Sequence, residues 1–159
     1  MENRIIDFSE FHTEDDGIHE ACGILGISDY HDDDLAHMMY YGLYALQHRG
    51  QESCGIAIIN KNGEINGQKG IGLVPEVFTE KILDRLDGTS AIGHTGYSTT
   101  GGSSIENSQP LIFNYKGGRI ALAHNGNLVN ATKIRYELEN KGAIFQTTTD
   151  SEVIANLIS

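Results

Sequence analysis

A chain of 159 residues with 39% apolar and 21% charged side chains is long enough for one or at most two domains and has the profile of a soluble globular protein. Twenty-two acidic against eleven basic side chains give a formal net charge of -11, which repels phosphate backbones and anionic lipid and argues against nucleic-acid and membrane-surface roles. No apolar run approaches the roughly 18 residues needed to span a bilayer, and nineteen glycines against two prolines point to tight turns and close backbone approaches rather than a helical bundle.

Residues 1–21 carry seven acids and a single base, Arg4, with no apolar segment, so they read as a solvated acidic leader and not as a secretory signal. The ordered domain is expected to begin at Cys22, with Cys22–Ile27 a buried strand. Leu35, Met38, Met39, Leu43 and Leu46 fall at helical spacing behind Asp34, which is placed to cap the helix. Gly55–Ile59 and the segment after Asn62-Gly63 read as a β-hairpin. Pro75 opens a second helix carrying Val77, Phe78, Ile82, Leu83 and Leu86, and Ala91–Gly93 is a short strand entering a polar loop from His94 to Gln109. An irregular stretch of that length is a candidate site. Leu111–Asn114 and Arg119–His124 read as strands about the turn Lys116-Gly117-Gly118. Asn130 caps a third helix ending near Gly142, Ala143–Gln146 is a strand, and a last helix starts near Asp150. Strands in adjacent runs with helices between them favour a layered α+β fold built on antiparallel sheets.

Two cysteines make neither a disulfide framework nor a four-ligand zinc site, and with no secretory signal they suggest a reducing cytoplasm. Cys22 follows the leader directly. Removal of residues 1–21 would put a thiol and a free α-amine on one residue, and an amine with a pKa of about 7.7 to 8 can take the thiol proton near neutral pH. The bland alternative is a buried core cysteine at the start of a strand, and the same default applies to Cys54. Asn125-Gly126 alone reads as a turn, and Asp150 alone as a helix cap.

Taken in order, Cys22-Gly23-Ile24-Leu25-Gly26, Gln47-His48-Arg49-Gly50-Gln51, Gly93-His94, Tyr97-Ser98-Thr99-Thr100-Gly101, His124-Asn125-Gly126-Asn127-Leu128 and Thr147-Thr148-Thr149-Asp150-Ser151-Glu152 resemble the glutaminase domain of amidophosphoribosyltransferases, from Cys22 to the last residue. These belong to the N-terminal-nucleophile (class II) glutamine amidotransferases. The resemblance implies an αββα sandwich of two antiparallel sheets between helix layers, here truncated at the C-terminus: residues 1–21 a propeptide-like leader, 22–159 a partial amidotransferase domain, and the transferase domain absent. It also implies hydrolysis of glutamine to glutamate and ammonia, the ammonia passing to phosphoribosyl pyrophosphate in the first step of purine synthesis. By the motifs Cys22 is the nucleophile, Asn125 and the Gly126 amide form the oxyanion hole, and Asp150 receives the α-ammonium of glutamine. Arg49 and Thr99 belong to the substrate-binding motifs, although a structural ion pair accounts equally well for Arg49. His48, His94 and His124 are expected to serve packing and turn hydrogen bonds. No cofactor is expected on this chain. Magnesium, and in some members a 4Fe-4S cluster, belong with the missing part, as does oligomer formation.

Gly96 departs from the pattern, since the family has an arginine immediately before the tyrosine that grips the α-carboxylate of glutamine. Three readings arise: a substitution in a working design, a variant anchored by another base such as Arg49, or a domain no longer active on glutamine. The rival functions are the glutaminase domain of another class II amidotransferase and a catalytically impaired docking module of the same fold. The apolar face of the last helix is expected to be exposed and to promote association.

Overall fold

The computed structural model describes residues 22–29, 34–97 and 104–158. The leader and Thr99 therefore lie outside the described residues. Four strands form the larger sheet: β1 (Gly23–Ile27), β2 (Ser53–Ile59), β3 (Ile65–Ile71) and β4 (Ser90–Gly96), ordered β1-β4-β2-β3 and antiparallel throughout. A second antiparallel pair, β5 (Leu111–Tyr115) and β6 (Gly118–Leu122), forms the smaller sheet. The central strand β2 is buried at Cys54, Gly55, Ile56, Ala57 and Ile58 alike, because both of its faces are covered. Helix α1 (Leu35–Ala45) lies on one face, setting Leu35, Ala36, Met39 and Leu43 against Cys54, Ile56 and Ile58. Against the other, Gly55 approaches the backbone of Gln109 and the ring of Pro110, which lead into β5. Helices α4 (Ala131–Asn140) and α5 (Asp150–Ile158) pack on one another, and α5 reaches β5. This is the expected α+β arrangement with two antiparallel sheets.

The hairpin between β2 and β3 turns as its sequence requires. Asn60 Oδ1 accepts from the amides of Asn62 and Glu64 at 2.9 and 3.0 Å, and Gly63 takes a φ of +81°. Asp34 holds the N-cap position of α1, but its side chain makes no capping bond to the helix. Met38, expected on the apolar face, points outward, and Ala36 fills the inner position instead.

Strand β1, expected to be buried, is instead an edge strand with Ile24 41% exposed, and three further elements differ from the sequence reading. The single helix expected after Pro75 is two short ones, α2 (Val74–Val77) and α3 (Glu80–Leu83). Phe78 and Thr79 between them are extended, which carries the Phe78 ring into the core at 3% exposure. Strand β4 runs on through His94, Thr95 and Gly96, so the first part of the expected polar loop is buried sheet. Ala143–Gln146 is not a strand. The Gln146 amide donates to Glu152 Oε1 at 2.8 Å and the neighbouring Thr147 amide to Glu152 Oε2 at 2.6 Å, so this stretch leads into side-chain bonds rather than a ladder, and Ile144 is left outside.

Candidate active site

Cys22 sits at the head of β1, where the register sets Gly23 opposite Thr95 of β4. Its thiol therefore stands beside Gly96: a Cβ placed on Gly96 would lie 3.5 Å from Cys22 Sγ. On the far side of β4, Ser53 pairs with Gly96, and the Glu52 amide donates to the Gly96 carbonyl at 3.0 Å. Sheet pairing thus brings residues from three distant parts of the sequence to one end of the larger sheet.

Two side chains converge on the Cys22 carbonyl. Asn125 Nδ2 donates to it at 2.8 Å and Arg49 Nε at 3.3 Å. Arg49 ends the 3₁₀ turn Gln47–Arg49, and Gln47 fixes that turn by donating to the Gly50 carbonyl and accepting from the Val74 amide, both at 2.6 Å. Gly50 is pressed against the backbone of Thr95 and Gly96; a Cβ on it would lie 2.6 Å from Gly96 Cα, so no larger residue fits without moving β4. The Gln-His-Arg-Gly motif is thereby a spacer that sets the guanidinium at the Cys22 backbone.

Asn125, Gly126 and Asn127 form an exposed loop beyond β6. A Cβ on Gly126 would lie 3.0 Å from His124 Nε2, which leaves little room for a side chain. At the far end of the loop the Leu128 amide donates to Asp150 Oδ2 at 2.6 Å, while Asp150 Oδ1 lies 3.7 Å from His124 Nδ1. Asp150 is the first residue of α5 rather than its cap, and its carboxylate ties that helix to the Asn125 loop. Glu152, 2% exposed, receives the Gln146 and Thr147 amides and the Thr147 hydroxyl, and so shapes the turn that presents Asp150.

The three motif histidines have different surroundings. His48 Nδ1 lies 3.0 Å from the Ala45 carbonyl in the turn after α1, and His124 lies near Asp150 and Ser151. His94 is 3% exposed, and among the described residues neither ring nitrogen has a hydrogen bond of good geometry, although the nearby His124 backbone partly favours its protonated form. Burial pushes its pKa down to about 4, so it is neutral at ordinary pH. Its ring occupies the space beside Gly96, where a Cβ would meet His94 Cε1 at 2.6 Å. Both cysteines are free thiols, but Cys54 is fully buried and its pKa is pushed up to about 12, chiefly by burial and further by the Glu76 charge. Cys22 is partly accessible.

Cys22, Arg49, Gly96 and Asn125 thus meet directly, Gly126 follows Asn125 in the chain, and Asp150 joins them through Leu128. Sequence reasoning missed Gln109, Gln47 and Glu152, which hold the motif backbones. Gln47 and Glu152 were signalled only by their place within the motifs, and Gln109 only by closing the long polar loop. Among the described residues, no group of three or more His, Cys, Asp or Glu side chains is placed to hold a metal ion.

The glutamine amidotransferase domain family matches residues 97–159. The amidophosphoribosyltransferase of Methanothermobacter thermautotrophicus is 51% identical over 145 residues, covering 89% of this chain and 30% of that protein. The Bacillus subtilis amidophosphoribosyltransferase is 48% identical over 143 residues, 89% of this chain and 29% of its own length. The solved structure of the B. subtilis glutamine phosphoribosylpyrophosphate amidotransferase, complexed with ADP and GMP, superposes with a TM-score of 0.76 at 46% identity, over 85% of this chain and 28% of that one. Over most of its length the chain is similar to amidophosphoribosyltransferases, and its residues 97–159 match the glutamine amidotransferase domain family. It has the N-terminal-nucleophile fold, seen also in a solved allosteric regulatory enzyme of purine biosynthesis with a TM-score of 0.78 and 48% identity. The domain spans less than a third of the length of these relatives. No helix among its described residues is long and apolar enough to cross a membrane.

Proposed function

We propose that this domain hydrolyses glutamine to glutamate and ammonia, and that in the whole protein the ammonia displaces pyrophosphate from phosphoribosyl pyrophosphate to give phosphoribosylamine for purine synthesis. The observation that carries the reading is the convergence of Asn125 and Arg49 on the backbone of Cys22, residues 103 and 27 positions away, beside the thiol. Cys22 attacks the Ala21 carbonyl and shifts residues 1–21 from nitrogen to sulfur as a thioester, which frees the α-amine; water hydrolyses that thioester, releasing the leader as a carboxylic acid and restoring the thiol, whose proton the amine then takes. The thiolate then attacks the carboxamide carbon of glutamine. Asn125 and the Gly126 amide receive the oxyanion, the amine returns the proton to the departing nitrogen, and ammonia leaves a thioester on Cys22. Water activated by the same amine attacks the thioester carbon, giving glutamate and the restored thiol. Asp150 accepts the α-ammonium through Oδ1, Oδ2 being engaged with Leu128. Thr99 is assigned to glutamine binding by its motif alone, and Arg49 orders the nucleophile's backbone.

Magnesium, and in some members a 4Fe-4S cluster, are assigned by the resemblance to the phosphoribosyl half. No step here passes through either. Homo-oligomer formation is likewise assigned to the whole protein, and two free thiols are in keeping with a cytoplasmic location. Gly96 favours a second reading, a docking module that keeps the fold but has lost the carboxylate anchor.

The test is treatment with a diazo-oxo amino acid analogue of glutamine, followed by intact mass and peptide mapping. The catalytic reading expects a chain beginning at Cys22, labelled there and not at Cys54. A full-length chain with no selective label selects the docking module.

A further inference from the structure

We infer that Gln109 is a positioning residue for the oxyanion loop: its side-chain amide holds both backbone polar groups of His124 and thereby sets Asn125 and Gly126. The inference rests on the glutaminase reading above. Gln109 Oε1 accepts from the His124 amide at 2.6 Å, and Gln109 Nε2 donates to the His124 carbonyl at 3.1 Å. The sheet register explains the need. Leu111 pairs with Leu122 at the last rung of the β5–β6 ladder, so continuing it would set Pro110 across from Ala123 and Gln109 across from His124. Pro110 has no N–H to extend the ladder. The Gln109 side chain, an amide like the peptide group, supplies the next rung two residues beyond the last backbone pair.

Gln109 is itself firmly based. Lys69 of β3 donates from Nζ to the Ser108 carbonyl at 2.6 Å and to the Glu106 carbonyl at 3.1 Å, and Asn107 Nδ2 donates to Thr148 Oγ1 at 3.0 Å. The exposed loop Asn125–Asn127 therefore has a clamp at each end, Gln109 on His124 and Asp150 on Leu128. Oxyanion donors act only if they are aimed before the charge develops. A loose loop costs transition-state stabilisation while leaving the binding of ground-state glutamine largely untouched.

The test compares the intact chain with Gln109→Met, which keeps the length and removes both bonds, and Gln109→Glu, which keeps the acceptor and removes the donor. Two readouts are taken: steady-state glutamate release from glutamine, and amide hydrogen exchange in the segments 123–128 and 54–59. Gln109→Met is expected to lower kcat about 10- to 100-fold, short of the full loss of an oxyanion donor, with KM changed less than about threefold. Exchange at 123–128 rises at least about tenfold, exchange at 54–59 is unchanged, and Gln109→Glu falls between Gln109→Met and the parent. Unchanged exchange at 123–128, faster exchange in both segments alike, or a higher KM at constant kcat overturns the proposal. If the parent chain releases no glutamate, the glutaminase reading fails by itself, and the exchange comparison alone decides whether Gln109 holds the loop.

Discussion

The thiol of Cys22, the bare backbone of Gly96 and the neutral ring of His94 share one small space, and each constrains what the others can do. A charged hydrogen bond contributes roughly 1.5 to 3 kcal/mol, so an arginine at position 96 that reaches the substrate carboxylate is expected to lower KM for glutamine about 10- to 150-fold. Such a side chain must first turn the His94 ring, whose Cε1 lies 2.6 Å from the new Cβ. The movement is at the free end of a side chain, so Gly96→Arg should fold. Glutamate release at graded glutamine concentrations checks it: an unchanged KM excludes the missing anchor as the defect. His94 also predicts a pH effect on stability. Its folded pKa of about 4 lies below its ordinary 6.5, so as the pH falls the unfolded chain takes up the proton first. The group therefore destabilises the fold progressively from about pH 6.5 down to pH 4 and adds nothing more below that. Urea unfolding at pH 7 and pH 4.5 should show His94→Leu losing about 2 to 3 kcal/mol less than the parent over that interval. An equal loss in both chains would show that the ring does not titrate this way.

At the scale of elements, the site depends on how closely the Gln47–Arg49 turn approaches the end of β4. Gly50→Ala adds a methyl group where Gly96 Cα is 2.6 Å away, and both partners are backbone that cannot rotate aside. The expected cost is about 1 to 3 kcal/mol of stability, with a lower kcat because the Arg49 and Cys22 ends of the contact separate. Thermal unfolding together with glutamate release checks this, and a variant as stable and active as the parent would show that the contact is slack. The sequence made several such elements legible and hid others, for physical reasons. Strand β1, the Asn62-Gly63 hairpin, α1 and α4 follow from local periodicity and turn chemistry, which act over a few residues. The break at Phe78-Thr79 was invisible, because helical spacing on both sides survives when one large apolar ring turns inward. The extension of β4 through His94 and Thr95 was hidden by their polarity; both are buried by pairing with β1 and β2, a long-range effect. In the site, Cys22, Asn125 and Asp150 were legible through their motifs. Gln109 was not, since a polar residue that serves a backbone 15 positions away leaves no periodic trace, and Glu152, though inside a motif, gave no sign of its bonds to Gln146 and Thr147.

Over the whole molecule, the apolar surface is unevenly covered. Helix α5 buries Val153 and Ala155 but leaves Leu157 and Ile158 more than half exposed, and elsewhere Val129 and Ile144 are 94% and 84% exposed. A groove of about 370 Å³ between the sheets, lined among others by Ile27, Ala57, Ile65, Ile92 and Ala121, adds a second apolar surface. Water contact with such patches is unfavourable by about 25 cal/mol per Å², so self-association that hides them is favoured. The net charge of -11 opposes it at long range. Salt screens that repulsion, with a Debye length of about 10 Å at 0.1 M, while leaving the apolar attraction in place. The sedimentation coefficient is therefore expected to rise with protein concentration, and more steeply at 0.5 M than at 0.05 M salt. Replacing Leu157 and Ile158 together by serine should flatten both dependences without changing the unfolding midpoint, because neither side chain is in the core. A parent chain that sediments as a monomer at every concentration and salt would show that charge prevails over these patches. A serine variant that associates as strongly as the parent would place the contact elsewhere, with the inter-sheet groove the next surface to alter.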